Sequence, residues 1–193
     1  MQVELPFGDE ALSVELPDRV VPVSSGGTSQ LAAVDDLEAE VKRALAQPLG
    51  LPPVGELVQP GATVSIAFDD PTVMSFTPVR RLALLEMFAQ LEAAGVRRDD
   101  IRLICANALH RKYRPEELAQ LIGDDLVAEF GERLFCHDAE DADHLVYLGT
   151  TPGGYDVEIS RYVMDADLTI YLNAAHNRGF SGGWKSVCVG LST

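Results

Sequence analysis

Cysteine is scarce in this chain: Cys105, Cys136 and Cys188 are the only three among 193 residues. No CxxC spacing joins them, and an odd number cannot pair completely within one chain. The sequence therefore predicts free thiols and a reducing, cytoplasmic setting, and excludes a disulfide scaffold. Cations are also few, with 15 lysines and arginines against 30 acids and a formal charge of −15. Such a charge repels phosphate backbones and anionic headgroups at long range, which argues against nucleic acid and membrane surfaces as partners. A small anionic ligand stays possible, because a pocket obeys the few charges that line it. Apolar runs are short: none approaches the ~20 residues that span a bilayer, and MQVELPFGDE has neither the basic nor the apolar region of an export signal. Internal repeats and low-complexity segments are absent as well. What remains is 47% hydrophobic residues, enough for one domain over residues 1–193 with a substantial core.

Hydrophobic patterning predicts the elements. QVELP at 2–6 and ALSVELP at 11–17 read as a two-stranded ribbon joined through Phe7, Gly8 and Asp9, and RVVPV at 19–23 as its continuation. SSGGTSQ at 24–30 reads as a flexible connection, and DDLEAEVKRALAQ at 35–47 as a helix with acids at its start. TVSIAF at 63–68 is apolar and β-branched, runs into Asp69 and Asp70, and precedes an amphipathic helix from Val79 to Ala94. The same order returns with IRLICANAL at 101–109 and a helix at Pro115–Ile122, and further strands are expected at RLFCHD, LVYLGT and LTIYLNA. Strands alternating with helices, two of them almost wholly apolar, predict an α/β domain: a mostly parallel, Rossmann-like sheet flanked by helices, with a small N-terminal β-ribbon. Ligands of such sheets bind beyond the carboxyl ends of the strands. That rule selects Asp69–Val73, Asn107–Arg114 and Asn173–Ser186.

Within those segments the densest chemistry lies in AAHNRGFSGGWKSVCVG at 174–190. Gly179, Gly182 and Gly183 permit close backbone approach to a ligand, while Lys185 and Ser186 offer an amine and a hydroxyl. A Walker A loop is excluded, because Trp184 stands where that motif needs glycine before the lysine. His110 and His176 each close a predicted strand, and imidazole exchanges protons near neutral pH. Asp69 and Asp70 could contact a ligand or cap the following helix equally well. His137 and His144 lie among acids with no compact ligand spacing, and read as a solvated stretch without a role in metal binding.

Taken together, LPFGDEALSVELPD, the aspartate and threonine of FDDPT, ALHRKYRPEEL and AHNRGFSGGWKSVCVGLST resemble the N-terminal domain of the nickel-dependent lactate racemase family in order and separation. The resemblance implies a racemase or epimerase of 2-hydroxy acids. His110 and His176 would exchange the hydroxyl proton while hydride moves to and from a nickel-pincer nucleotide tethered at Lys185. By the same resemblance Asp70, Thr72, Gly182, Gly183 and Ser186 would contact the cofactor. Val73 stands where the family has a carboxylate-binding arginine. A neutral side chain cannot make that charge-assisted contact, so lactate itself is not the expected substrate, and Arg178 and Arg111 are the candidate replacements. The resemblance also implies a nickel-ligating histidine and a second domain beyond Thr193. A missing C-terminal domain, in cis or in trans, is therefore the expected partner, and the isolated chain is expected to be inactive. The alternatives are a noncatalytic nucleotide- or anion-binding module and a subunit that acts only with a separate C-terminal partner.

Overall fold

The computed structural model describes residues 1–7, 10–21, 32–72, 77–174 and 185–193, with backbone alone at positions 6, 77 and 185. It divides into two compact units, Met1–Asp35 and Asp36–Thr193. In the first, β1 (Gln2–Phe7) and β2 (Glu10–Glu15) form the expected antiparallel ribbon with Val3 opposite Val14 and Leu5 opposite Leu12. Reciprocal backbone bonds between Met1 and Leu16 close its open end. The expected continuation at 19–23 is not borne out in its described part, residues 19–21. The Val20 amide bonds back to the Pro17 carbonyl at 3.0 Å, turning the chain out of the ladder.

The second unit opens with α1 (Leu37–Ala46), capped by Asp36, whose carboxylate accepts from the Ala39 amide at 3.0 Å. There follow β3 (Val64–Asp69), α2 (Thr77–Ala93), β4 (Ile101–Ala106), α3 (Pro115–Ile122), α4 (Asp124–Phe130) and β5 (Leu134–Cys136). Then come β6 (Leu145–Thr150), β7 (Asp156–Ser160), α5 (Arg161–Met164), β8 (Leu168–Leu172) and α6 (Lys185–Gly190). Four strands form one parallel sheet in the order β5-β4-β3-β8. The uninterrupted apolar character of β3 and β4 follows from cover on both faces. Val64, Ile66 and Phe68 join Leu103 and Leu134 against Leu84, Phe88 and Leu91 of α2 and Leu121 and Ile122 of α3. On the other face Ala67, Ile104 and Ala106 pack with Leu191, Tyr162 and Tyr171.

Two expectations need correction. LVYLGT is a strand, but it leaves the parallel sheet. As β6 it pairs antiparallel with β7, which the sequence reading missed. The intervening TPGGYD makes a tight turn, with Thr151 N bonded to Tyr155 O and Gly154 N to Thr151 O, and favours a hairpin over a crossover. IRLICANAL is shorter than expected: β4 ends at Ala106, and the chain turns directly after it. Strand order reverses at β3, since β4 and β5 lie to one side of it and β8 to the other. The carboxyl end of β3 is thus the place where crossovers diverge and leave a crevice.

Candidate functional site

A cavity of about 200 Å³ lies at that end, lined by Asp69, Asp70, Thr72, Ala106, Asn107, Ala108, His110, Tyr171, Ser186, Val189 and Gly190. It draws residues from all three segments selected from the sequence. Asp69, the last residue of β3, accepts from the Ala174 amide at 2.7 Å and ties the chain after β8 to the end of β3. Asp70, one residue further, is only 4% exposed.

The Asp70 carboxylate is held from both sides. Its Oδ1 accepts from the Thr72 amide at 3.0 Å and from the Thr72 hydroxyl. Its Oδ2 accepts from His110 Nδ1 and from the Tyr113 hydroxyl, the latter at 3.1 Å. Burial pushes the Asp70 carboxyl up, but the hydrogen bonds from Thr72 and His110 outweigh it and leave it below its ordinary value. Asp70 is therefore anionic near neutral pH. Tyr113 stays a donor, pushed up to about 12 by burial and by the Asp70 charge.

The anion fixes the imidazole. A carboxylate only accepts, so Nδ1 of His110 carries the hydrogen and, in the neutral ring, Nε2 keeps its lone pair. The His110 side chain is 53% exposed, which leaves that lone pair reachable. A tight turn delivers the residue. Ala108 takes a left-handed conformation with φ 48°, the His110 amide bonds to the Asn107 carbonyl at 2.7 Å, and Asn107 Nδ2 donates to the His110 carbonyl at 2.9 Å. A non-glycine residue there is strained, a feature that clusters at functional sites. Because Nδ2 is engaged, the orientation of the Asn107 amide is set. Its buried Oδ1 has no hydrogen-bond partner among the described residues. Opposite, Asn173 Nδ2 donates to the Ser186 hydroxyl at 2.6 Å. Helix α6 comes so close that a Cβ at Gly190 would meet the Tyr171 hydroxyl at 2.5 Å and Ala106 Cβ at 2.8 Å.

Of the residues named from the sequence, Asp70, Thr72, His110 and Ser186 meet in one cavity. Arg111 does not join them. It forms a two-pronged pair with Glu117, using Nη1 at 2.9 Å and Nη2 at 2.5 Å, and its side chain is 63% exposed. That pair, with the Arg114 amide, holds the Glu117 carboxyl down to about 2, so the guanidinium is committed. Val73, His176, Arg178, Gly182 and Gly183 lie outside the described residues, as does the Lys185 side chain. His137 departs from the solvated stretch expected for it. It is buried, and its Nε2 donates to the Ser192 carbonyl at 3.0 Å. There it fastens the chain end, whose Thr193 amide also bonds to Glu158 of β7. His144 fits the expectation better, since its Nδ1 pairs with Asp141 at 2.7 Å near the surface. Tyr113 and Asn107 were missed: nothing in their spacing marks them, and only the turn after β4 brings them to Asp70 and His110.

Parallel sheet, crevice at the reversal of strand order and a carboxylate-oriented histidine in that crevice together define a Rossmann-like α/β domain with a candidate site at its carboxyl edge. The chain belongs to the family described as the lactate racemase N-terminal domain, whose model matches residues 7–193. It is 26% identical over 198 residues to a lactate racemase of Thermoanaerobacterium thermosaccharolyticum, covering 99% of this chain and 44% of that relative. It is 28% identical over 203 residues to a lactate racemase of Lactiplantibacillus plantarum, covering 99% and 45%. The solved structure of the Thermoanaerobacterium lactate racemase apoprotein superposes with a TM-score of 0.71 at 27% identity, covering 100% of this chain and 44% of that one. The chain thus spans less than half the length of the relatives it matches. No helix among the described residues is long and apolar enough to cross a membrane.

Proposed function

We propose that this domain is the N-terminal part of a nickel-pincer-dependent racemase or epimerase of 2-hydroxy acids other than lactate. The observation that carries the reading is the Asp70–His110 pair at the carboxyl end of the parallel sheet in a domain of this family. His110 Nε2 takes the proton of the substrate hydroxyl, and Asp70 stabilises the imidazolium that results. Tyr113 and Thr72 keep the carboxylate in place through both states. His176 is the partner base for the opposite enantiomer, whose hydroxyl approaches from another direction.

The cavity offers polar contacts for the sugar of a nucleotide. Asn107 Oδ1, without a hydrogen-bond partner among the described residues, is a ready acceptor for a sugar hydroxyl, and Ser186 and Thr72 add hydroxyls. Lys185, Gly182 and Gly183 complete the contacts in this reading, with Lys185 as the tether. When bound, the nickel-pincer nucleotide supplies the hydride acceptor. With Arg111 committed to Glu117, Arg178 takes over recognition of the substrate carboxylate. Activity needs the further length present in the relatives, in cis or in trans. A noncatalytic nucleotide- or anion-binding module is the second reading, favoured by Val73 at the carboxylate-binding position.

The test uses full-length, cofactor-loaded protein and a 2-hydroxy acid carrying deuterium on the carbon that inverts. Hydride transfer within the site predicts loss of optical purity with the label retained in both enantiomers. Washout of the label into water would replace hydride transfer with proton abstraction from carbon, and no inversion of any hydroxy acid would favour the binding module.

A further inference from the structure

Strands β4 and β5 run side by side, and Cys105 and Cys136 are their last directly paired residues. Parallel neighbours are spaced about 4.8 Å apart, which puts paired Cα atoms within the roughly 4.4–6.8 Å that a disulfide bridges. Both side chains lie on the face packed against α2 and α3, so the sulfurs are neighbours. They differ in access. Cys105 is fully buried, whereas Cys136 is half-buried and lines two cavities of about 390 and 640 Å³ beside β5. They also differ in character. The hydrogen bond from Cys105, the Tyr113 amide at 3.2 Å and the Lys112 ammonium favour the Cys136 thiolate. The same hydrogen bond and burial push the Cys105 thiol up. A partly exposed thiol whose ionisation is eased, paired across the strands with a buried thiol that stays protonated, has the pattern of a reactive cysteine with its resolving partner.

We infer that Cys136 and Cys105 form a peroxide-responsive thiol pair whose oxidation is transmitted to the Asp70–His110 dyad through Tyr113. In the first step the Cys136 thiolate attacks a hydroperoxide. The O–O bond breaks, the sulfur becomes a sulfenic acid, and the leaving oxygen takes up a proton and departs as alcohol or water. In the second, the Cys105 sulfur displaces that hydroxyl, which leaves as water with the Cys105 proton. The two thiols lose two electrons and two protons, and the peroxide is reduced. Tyr113 is the link, since its amide donates to the Cys136 sulfur while its hydroxyl donates to Asp70. Drawing Cys136 toward Cys105 removes the acceptor of that amide and shifts the tyrosine that steadies the carboxylate. The thiol chemistry stands on the fold and is independent of the proposed racemase activity.

The experiment treats the 193-residue chain with hydrogen peroxide at neutral pH, blocks free thiols and maps the cysteine peptides. Wild type should give a Cys105–Cys136 link, reversed by dithiothreitol. Cys136→Ser should give none, and Cys105→Ser should accumulate sulfenic acid at Cys136, trapped by dimedone. Cys188 is exposed on α6 and serves as the comparison; Cys136 should oxidise on the order of tenfold faster. Peroxide that oxidises Cys188 first, or that links either other cysteine to Cys188, overturns the assignment. For the coupling, the His110 ring resonances should move on oxidation of wild type and stay fixed in Cys136→Ser. An unmoved His110 in a chain carrying the disulfide overturns the transmission through Tyr113.

Discussion

The Asp70 carboxylate and His110 Nδ1 meet across 40 residues of chain, one supplied just after β3 and the other by the turn after β4. Neither loop alone makes the contact. It follows from β3 and β4 being parallel neighbours that end together, Asp69 opposite Ala106. The register of the sheet thus becomes the geometry of an acid–base pair.

The first prediction concerns that pair in full-length, cofactor-loaded protein. His110→Ala should lower the inversion rate on the order of 10²-fold or more, the usual scale for losing a positioned proton carrier, with His176→Ala costing a similar factor. Asp70→Asn should also lower the rate, because an amide can donate and so allows the other imidazole tautomer, with the proton on Nε2. Chiral chromatography of the product reads all three. Near-normal rates in His110→Ala and His176→Ala would assign both histidines to structure.

The same carboxylate predicts a pH dependence of stability. Asp70 is held below its ordinary value in the folded chain, so between the two values the unfolded state binds the proton more readily than the folded one. Its contribution is fully present above the unfolded value of about 4 and is lost as pH falls through the depressed folded value. Melting curves of the 193-residue chain should show wild type exceeding Asp70→Asn near neutrality, with the gap narrowing below pH ~4. A gap that widens toward acid would show the sign to be wrong.

Packing around the cavity gives a third prediction. Gly190→Ala would ordinarily stabilise a helix by a few tenths to ~1 kcal/mol, yet its Cβ meets the Tyr171 hydroxyl at 2.5 Å and Ala106 Cβ at 2.8 Å. Overpacking of this kind costs ~1–3 kcal/mol. Gly190→Ala should therefore lower the denaturant midpoint, and Tyr171→Phe, which removes the hydroxyl, should recover part of the loss in the double variant. A double variant no better than the sum of the two single changes would mean that the hydroxyl is not the obstacle.

What the sequence made legible follows local rules. The helix at Pro115–Ile122 is bounded in the sequence by a proline at its start and Gly123 after its end, and β3 by a β-branched run that ends in two aspartates. Binding beyond strand ends selected the segments that bring Asp70, Thr72, His110 and Ser186 to one cavity. What stayed hidden depends on distant pairing. Strand β7 is only five residues, so the alternation of Val157 and Ile159 with polar neighbours is too short to stand out, and pairing with β6 makes it a strand. Tyr113 lies in the selected segment 107–114 without any spacing that marks it, and only the turn at Ala108 carries it to Asp70. His137 looks solvated in its run of acids because its partner, the Ser192 carbonyl, is 55 residues away.

A fourth prediction addresses the tether. Full-length protein coexpressed with the enzymes that build the pincer nucleotide should gain the cofactor's mass on the peptide containing Lys185, and Lys185→Ala should not. An unmodified Lys185 under those conditions removes the covalent step from the proposed function while leaving the Asp70–His110 geometry intact.

The last prediction concerns substrate choice. By the family resemblance Val73 stands where a carboxylate-binding arginine is expected, and a hydrogen bond to a charged group contributes ~1.5–3 kcal/mol, so simple lactate should be recognised roughly ten- to hundredfold less well. The structure narrows the replacement, because Arg111 is bound two-pronged to Glu117 and would have to abandon that partner to reach a substrate. Arg111 is engaged there and does not line the cavity, which leaves Arg178 as the cation to test. A panel of 2-hydroxy acids and sugar acids on loaded full-length protein, with Val73→Arg, Arg178→Ala and Arg111→Ala beside wild type, separates the cases. Val73→Arg should raise kcat/KM for lactate, Arg178→Ala should lower it for the preferred larger acid, and Arg111→Ala should change neither by more than about twofold, as expected for an exposed ion pair. Efficient wild-type inversion of lactate, indifferent to Val73→Arg, would refute the argument from the missing arginine.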